Sequence, residues 1–358
     1  GLAYKMDEFF QLWRDGLAHS HLFTKNFLIS TFYFLERNSL LLSVVMITLE
    51  IVAGVALLIG WMRRFILYLL LVLIVFFTFL TGYAYLSGKF TDCGCFGECL
   101  PITPLTSFIK DVVLLLLIIL LIIGQKYITP LFTQRARSVL LTTSVVAAIV
   151  LQWYVLNYLP LVDCLPFRKG NNIAQQMKMP SDAMPDSFAI KFIYERNGKR
   201  YEFAPEELPA DLNNYKFIDR TQKLVRKGNA QPPIKGFSLA GVTGTDSTEI
   251  ILNEPVCLLL FCQYLKLPSE RWNNFRRVTD AARIKKIPVY IVTASSREEF
   301  GQLAKYNLNV PVFSCDLTAI KTAARTNPTL FLLQWGTVKE KYSFRQFDRA
   351  VNDINSQK

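Results

Sequence analysis

Three thiols fall within seven residues of this protein, in the stretch Asp92-Cys93-Gly94-Cys95-Phe96-Gly97-Glu98-Cys99. A fourth, Cys164, stands alone further on, and Cys257, Cys262 and Cys315 follow in the last third. Thiols this dense suit three chemistries: redox exchange, a disulfide staple or a metal site. Redox exchange fits the Cys-x-Cys pair, because its small ring departs from relaxed disulfide geometry and is more easily reduced. The flanking glycines free the backbone to bring the sulfurs together. A staple fits as well, since no histidine is near and Asp92 and Glu98 would raise a thiol pKa rather than lower it. Metal ligation fits least, for the usual Cys-x2-Cys spacing is missing. Cys93, Cys95, Cys99 and Cys164 can pair in three ways.

The elements that carry these thiols are read from the apolar pattern. The mean hydropathy is +0.26 and only 19% of residues are charged, low for a soluble protein. Apolar residues concentrate before position 165. Four runs, about 40–61, 65–86, 105–123 and 138–161, are each long enough to cross ~30 Å of hydrocarbon. Arg63 and Arg64 mark one loop, and Lys126, Arg135 and Arg137 the other. The positive-inside rule puts both in the cytoplasm. The Cys-rich link, Cys164 and everything after it then lie outside, where disulfides are permitted. Residues 1–38 start outside too, which leads us to expect a further helix before Gly1. Their Met6, Phe9, Phe10, Trp13 and Leu17 share a helix face, fitting an amphipathic segment in the membrane interface or a helix packed on the soluble part. His19 and His21 do not share a helix face, and no metal role is assigned to them.

Three ionisable residues interrupt the spans. Glu50 lies near the middle of the first, where an unpaired carboxylate costs on the order of 3 kcal/mol, so it is expected to face protein or be protonated. Lys110 and Asp111 lie one to two turns into the third. They read either as a polar clamp between helices or as a proton path or quinone-ring contact serving the thiols, with Thr78, Thr81 and Tyr83 available for hydrogen bonds.

Residues 165–230 read as a linker containing a β-hairpin at 188–203, turning at Asn197-Gly198. From 231 to 358 the order β-α-β-α-β-β-α predicts an α/β domain with helices on both faces of a sheet. Residues 1–164 hold 11 Lys+Arg against 9 Asp+Glu, and residues 165–358 hold 29 against 19. A basic domain tethered to a bilayer is drawn to anionic lipids or acidic partners. No nucleic-acid partner is expected, because the basic residues do not interleave with aromatics in an RNA-binding motif. No phosphate-binding glycine loop or dinucleotide fingerprint occurs.

The Cys-Gly-Cys-Phe-Gly string, Glu50 with Gly54, and Ser107-Phe108-Ile109-Lys110-Asp111 resemble the DoxX/MauE-type redox-associated membrane proteins over roughly residues 1–165. From about Gln231 the sequence resembles a membrane-anchored thioredoxin-like domain, with Thr326-Asn327-Pro328-Thr329 in the place of its cis-proline loop. The family's Cys-x-x-Cys is absent: that region reads Tyr264-Leu265-Lys266-Leu267-Pro268-Ser269. Cys257, Cys262 and Cys315 read as buried core cysteines. The resemblance implies a bacterial inner-membrane protein with a periplasmic C-terminal domain, acting in disulfide formation of exported proteins and passing electrons to quinone. We assign Cys93 and Cys95 as the exchanging pair and Cys99 and Cys164 as the bridge. Glu50, Lys110 and Asp111 would support a membrane-side acceptor, and Pro328 would mark a partner-binding edge. Expected partners are membrane lipids, exported or envelope proteins and a larger membrane complex. The other reading is a non-catalytic accessory subunit with structural disulfides.

Overall fold

The computed structural model describes residues 2–18, 25–87, 99 and 102–356, apart from short breaks at 182, 185–186, 197–198, 206–207, 210–211, 227 and 229–231. Cys93, Cys95, both histidines and the Asn197-Gly198 turn lie outside the described residues. The protein divides into two compact units at Leu165/Pro166.

The first unit is helical: α1 (Leu2–Ala18), α2 (Lys25–Arg37), α3 (Ser39–Leu58), α4 (Arg63–Ser87), α5 (Pro104–Ile123) and α6 (Gln134–Asn157). Helices α3 to α6 are long and apolar enough to cross a membrane. Two starts are set locally. Thr103 accepts a hydrogen bond from the Thr106 N–H with Pro104 opening α5, and Thr133 accepts from the Ala136 N–H ahead of α6, both ordinary N-terminal devices. Helix α4 packs along α5, and α3 along α6. The loops after α3 and α5 meet at one end: Arg63 donates to the Ile128 carbonyl at 2.5 Å. Gly60, at φ +69°, lies so close that a Cβ there would stand 3.0 Å from Pro130 Cα. Arg135 and Arg137, expected in a loop, instead occupy the first turn of α6.

The aromatic face of α1 is turned onto the spans. Phe9 and Phe10 are buried, Phe9 packs with Ala84, and Trp13 contacts Phe79 and Tyr83. Arg14 and Gln11 bind Glu36, joining α1 to α2. Phe10 and Trp13 also pack on Phe32 of α2, beside this polar contact.

The second unit holds α7 (Ile173–Gln176), a sheet of β1 (Ser187–Arg196), β2 (Lys199–Phe203) and β3 (Lys216–Arg226), then α8 (Thr248–Leu252), β4 (Cys257–Cys262), α9 (Ser269–Ile284), β5 (Val289–Thr293), β6 (Val312–Ser314), α10 (Leu317–Ala323), β7 (Thr329–Gln334), β8 (Thr337–Ser343) and α11 (Phe347–Ser356). Strands β1 to β3 form an antiparallel sheet ordered β2-β1-β3. The residues of β3 were expected to be polar linker. Lys216, Asp219, Arg220, Lys223 and Arg226 interrupt its apolar pattern, yet it pairs with β1 along most of its length.

The larger sheet has the order β6-β5-β4-β7-β8, with β4, β5 and β6 parallel and β7 and β8 antiparallel. All six residues of β4 are buried, as a central strand covered on both faces requires. Its alternate side chains feed two cores. Leu259 and Phe261 join Phe167, Ile173 and Phe331 on one face. Leu258 and Leu260 join Trp272, Phe275 and Phe347 on the other. The supposed linker begins by joining this sheet. Phe167 and Ile173 are core residues, and Gly170, Asn171 and Ile173 exchange backbone hydrogen bonds with Val338 and Gly336. A separate linker from 165 is therefore withdrawn for residues 166–177. Gly336 (φ +70°) follows Trp335 (φ +49°) in the β7–β8 turn, the left-handed pair a tight hairpin favours. The second helix of the order β-α-β-α-β-β-α, at residues 297–306, is 3-10 rather than α.

Candidate functional site

Three places drew attention in the sequence, and the structure treats them differently. The first is the thiol cluster beside the membrane. Cys99, four residues before the cap of α5, is disulfide-bonded to Cys164, which follows α6, with their Cα atoms 5.1 Å apart. The bond closes a loop around α5 and α6 (sequence separation 65). By the chain-entropy relation such a loop constrains the unfolded state by about 4 kcal/mol.

The second place is the α4–α5 interface. Lys110 Nζ lies 2.8 Å from Asp111 Oδ1, and Thr81 on α4 donates to Asp111 Oδ2 at 2.9 Å. Asp111 is 1% exposed, so this carboxylate is buried with a cation and a hydroxyl on its two oxygens, the condition under which a buried charge is tolerated. Ser107, one turn earlier on α5, is also buried, with an unpartnered hydroxyl. Thr78 satisfies itself on the Ile74 carbonyl, and Tyr83 packs on Trp13. Glu50, expected to face protein or be protonated, stands at an exposed position of α3. A second polar pair was missed. Gln152 on α6 donates to Thr48 on α3 at 2.8 Å, so the α3–α6 pair, like α4–α5, carries an interhelical hydrogen bond. A lone Gln in an apolar run was the available signal.

The third place is the start of α9, where a thioredoxin-like enzyme would hold its dithiol. No cysteine is there. The Asn327–Pro328 bond is cis, and its loop is held by neighbouring segments of the same unit. The Gln263 N–H donates to Asn327 Oδ1 at 3.0 Å, Arg271 Nη1 donates to the Asn327 carbonyl, and Thr326 and Thr329 bond one another. The Arg271 guanidinium stacks on the Phe344 ring at 3.9 Å, and Arg345 approaches the same ring at 5.4 Å. Sequence reading missed both arginines, because an Arg on an amphipathic helix reads as solvated surface. The three thiols of this unit are buried. Burial pushes Cys257 up to about 12, Cys315 up to about 11, and Cys262 further still. Cys257 and Cys262 belong to opposite cores, as a five-residue offset in a strand demands. Thiols in such surroundings are inert at neutral pH.

Comparison with known proteins agrees with this division. Residues 18–124 match the family of methylamine utilisation protein MauE, and residues 188–227 match a domain of unknown function, DUF8463. No curated protein matches the sequence. Among solved structures, peroxidoxin BcpB of Mycobacterium tuberculosis is 15% identical with a TM-score of 0.29, covering 34% of this chain and 93% of that one. The bacterioferritin comigratory protein of Xanthomonas campestris is 13% identical with a TM-score of 0.28, covering 33% of this chain and 90% of its own. Peroxiredoxin Q of the same organism is 12% identical with a TM-score of 0.27, at 34% and 90% coverage. The fold of the second unit rests on its own topology: three parallel strands, a cis-proline loop, two antiparallel strands and a closing helix. The protein joins a MauE-type membrane segment to an α/β domain of thioredoxin-like fold.

Proposed function

We propose that this is a multi-pass protein of the bacterial inner membrane whose surface thiols take part in thiol–disulfide exchange with exported proteins, supporting their oxidative folding or handling. The observation that carries the reading is the Cys99–Cys164 bond. It occupies two of the four thiols nearest the membrane and leaves Cys93 and Cys95, two residues apart in the same link, for exchange. In the exchange a client thiolate attacks one sulfur of a Cys93–Cys95 disulfide. The second client thiol then resolves the mixed disulfide, so the client is oxidised and two thiols remain on this protein. Glu50, Lys110 and Asp111 would support a membrane-side electron acceptor such as a quinone, within a larger membrane complex. The C-terminal domain, periplasmic in this reading, binds the client or a partner near Pro328 and through its positive charge.

Thiol trapping with mass mapping on native membranes tests this under graded reductant. Opening of Cys93–Cys95 near about −200 mV, the range of exchanging disulfides, is expected. Bridging of all four thiols down to about −300 mV would leave only staples. A specific observation favours that second reading: the C-terminal unit lacks the dithiol of its fold and its three thiols are buried. The protein would then be an accessory subunit. Cys93→Ala separates the two, since client oxidation is lost in the first and unchanged in the second.

A further inference from the structure

We propose that the cavity between the start of α9 and the start of α11 binds a carboxylate group of a polypeptide, held by Arg271 and Arg345. This goes beyond the reading above and does not depend on whether Cys93 and Cys95 exchange. The cavity measures about 230 Å³ and is lined by Arg271, Asn274, Phe344 and Arg345, with Glu270 and Asp348 among its other walls. At roughly 30 Å³ per water molecule it holds several waters, or one carboxylate with a short carbon stem.

The geometry is that of a prepared anion site. Arg271 is fixed on two sides, by the Phe344 ring beneath its plane and by the Asn327 carbonyl on Nη1. Its Nε and Nη2 meet no acceptor among the described residues. A guanidinium held in this way presents a planar fork that matches a carboxylate and has little rotamer freedom left to lose. Arg345 brings a second positive charge to the same ring. Burial lowers the proton affinity of Arg271, with Tyr264 and Glu270 acting against it and the Arg345 charge adding to it.

The other charges select among anions. Asp348 is engaged by Arg277 at 2.6 Å and so is partly neutralised. Glu270 acts on the Arg271 charge and lines the same cavity, so it disfavours multivalent anions more than singly charged ones. A singly charged carboxylate is therefore preferred to phosphate, and Glu270 can accept a hydrogen bond from a neighbouring peptide N–H. Two sources supply that chemistry: the C-terminus of a polypeptide, or an Asp or Glu side chain.

The test is calorimetric titration of the full-length protein in detergent with four probes at fixed ionic strength. These are acetyl-trialanine with a free C-terminus, its C-terminal amide, acetyl-Ala-Glu-Ala-amide, and inorganic phosphate. The expected result is saturable binding of at least one carboxylate-bearing peptide, with the plain amide and phosphate at least about tenfold weaker. Arg345→Gln, at an exposed position, should weaken binding about tenfold or more, the size of one lost charge-assisted hydrogen bond. Arg271→Lys, which keeps the charge and loses the fork, should weaken it as well. The first and third peptides tell a C-terminus from a side chain. Equal binding of the amide, tighter binding of phosphate, no binding of any probe, or affinity unchanged in Arg345→Gln would each overturn the proposal.

Discussion

The two units of this protein use sulfur in opposite ways. In the membrane unit every cysteine lies in a link outside the spans, and the described pair is oxidised. In the C-terminal unit every cysteine lies in or beside a strand, buried and reduced. The difference follows from what each environment can solvate. A thiolate needs water or a cation, and β4 offers neither, so its sulfurs act as small apolar atoms. The α/β domain carries no cysteine at the start of α9, where Arg271 instead stacks on Phe344.

Four experiments break or sharpen this contrast. The largest effect belongs to the membrane unit: Cys164→Ala should lower its stability by about 4 kcal/mol, read as a drop in the thermal midpoint in detergent. Dithiothreitol should reproduce that drop in the wild-type protein and have no effect on the variant. Asp111→Ala comes next, at about 3 kcal/mol. That is the lower end for breaking a buried pair, because Lys110 keeps a third of its surface exposed. The double variant Lys110→Met/Asp111→Leu should recover most of the loss. An Asp111→Ala protein as stable as wild type would show that the carboxylate is not a clamp.

The third experiment addresses the buried thiols. Their folded pKa values lie above the ordinary 9.0, at about 12 for Cys257 and about 11 for Cys315. The protonated form is therefore the one that folding favours. This contribution is fully present below pH 9 and is lost as pH rises from 9 towards 12. Denaturant titration should show falling stability of the C-terminal unit across that window, and native alkylation at about pH 8, below the ordinary thiol pKa, should leave all three thiols unlabelled. Labelling of Cys262 in the native state would end the contrast. The smallest effect is expected at Arg277→Gln. Its pair with Asp348 has side chains 60% and 76% exposed, so a few tenths of a kcal/mol at most should be lost.

Much of this architecture was legible because burial leaves long apolar runs. The four spans and β4 were visible for that reason, and the β7–β8 hairpin because Trp335-Gly336 separates two β-rich runs. What escaped was whatever depends on a distant partner. Strand β3 is charged along its length and exists because β1 pairs with it. Residues 166–177 have too few apolar positions to read as domain, yet Phe167 and Ile173 are as buried as any core residue. Arg271 has no local signal, since its meaning comes from Asn327, 56 residues later. Lys110 and Asp111 were conspicuous as charges in a span, but only the position of Thr81 on α4 gives Asp111 its second partner. The direction of α1 was decided by Phe79 and Tyr83, which no pattern within α1 could reveal.

The Cys99–Cys164 bond also has a mechanical side. Cys164 is the second residue before the start of the C-terminal unit. Any pull on that unit enters the helical part there. Without the bond the load would run through α6 alone, and one helix could be dragged from its neighbour. With it, the load divides at once between the end of α6 and the segment leading into α5. Tension that would extract one span must move two.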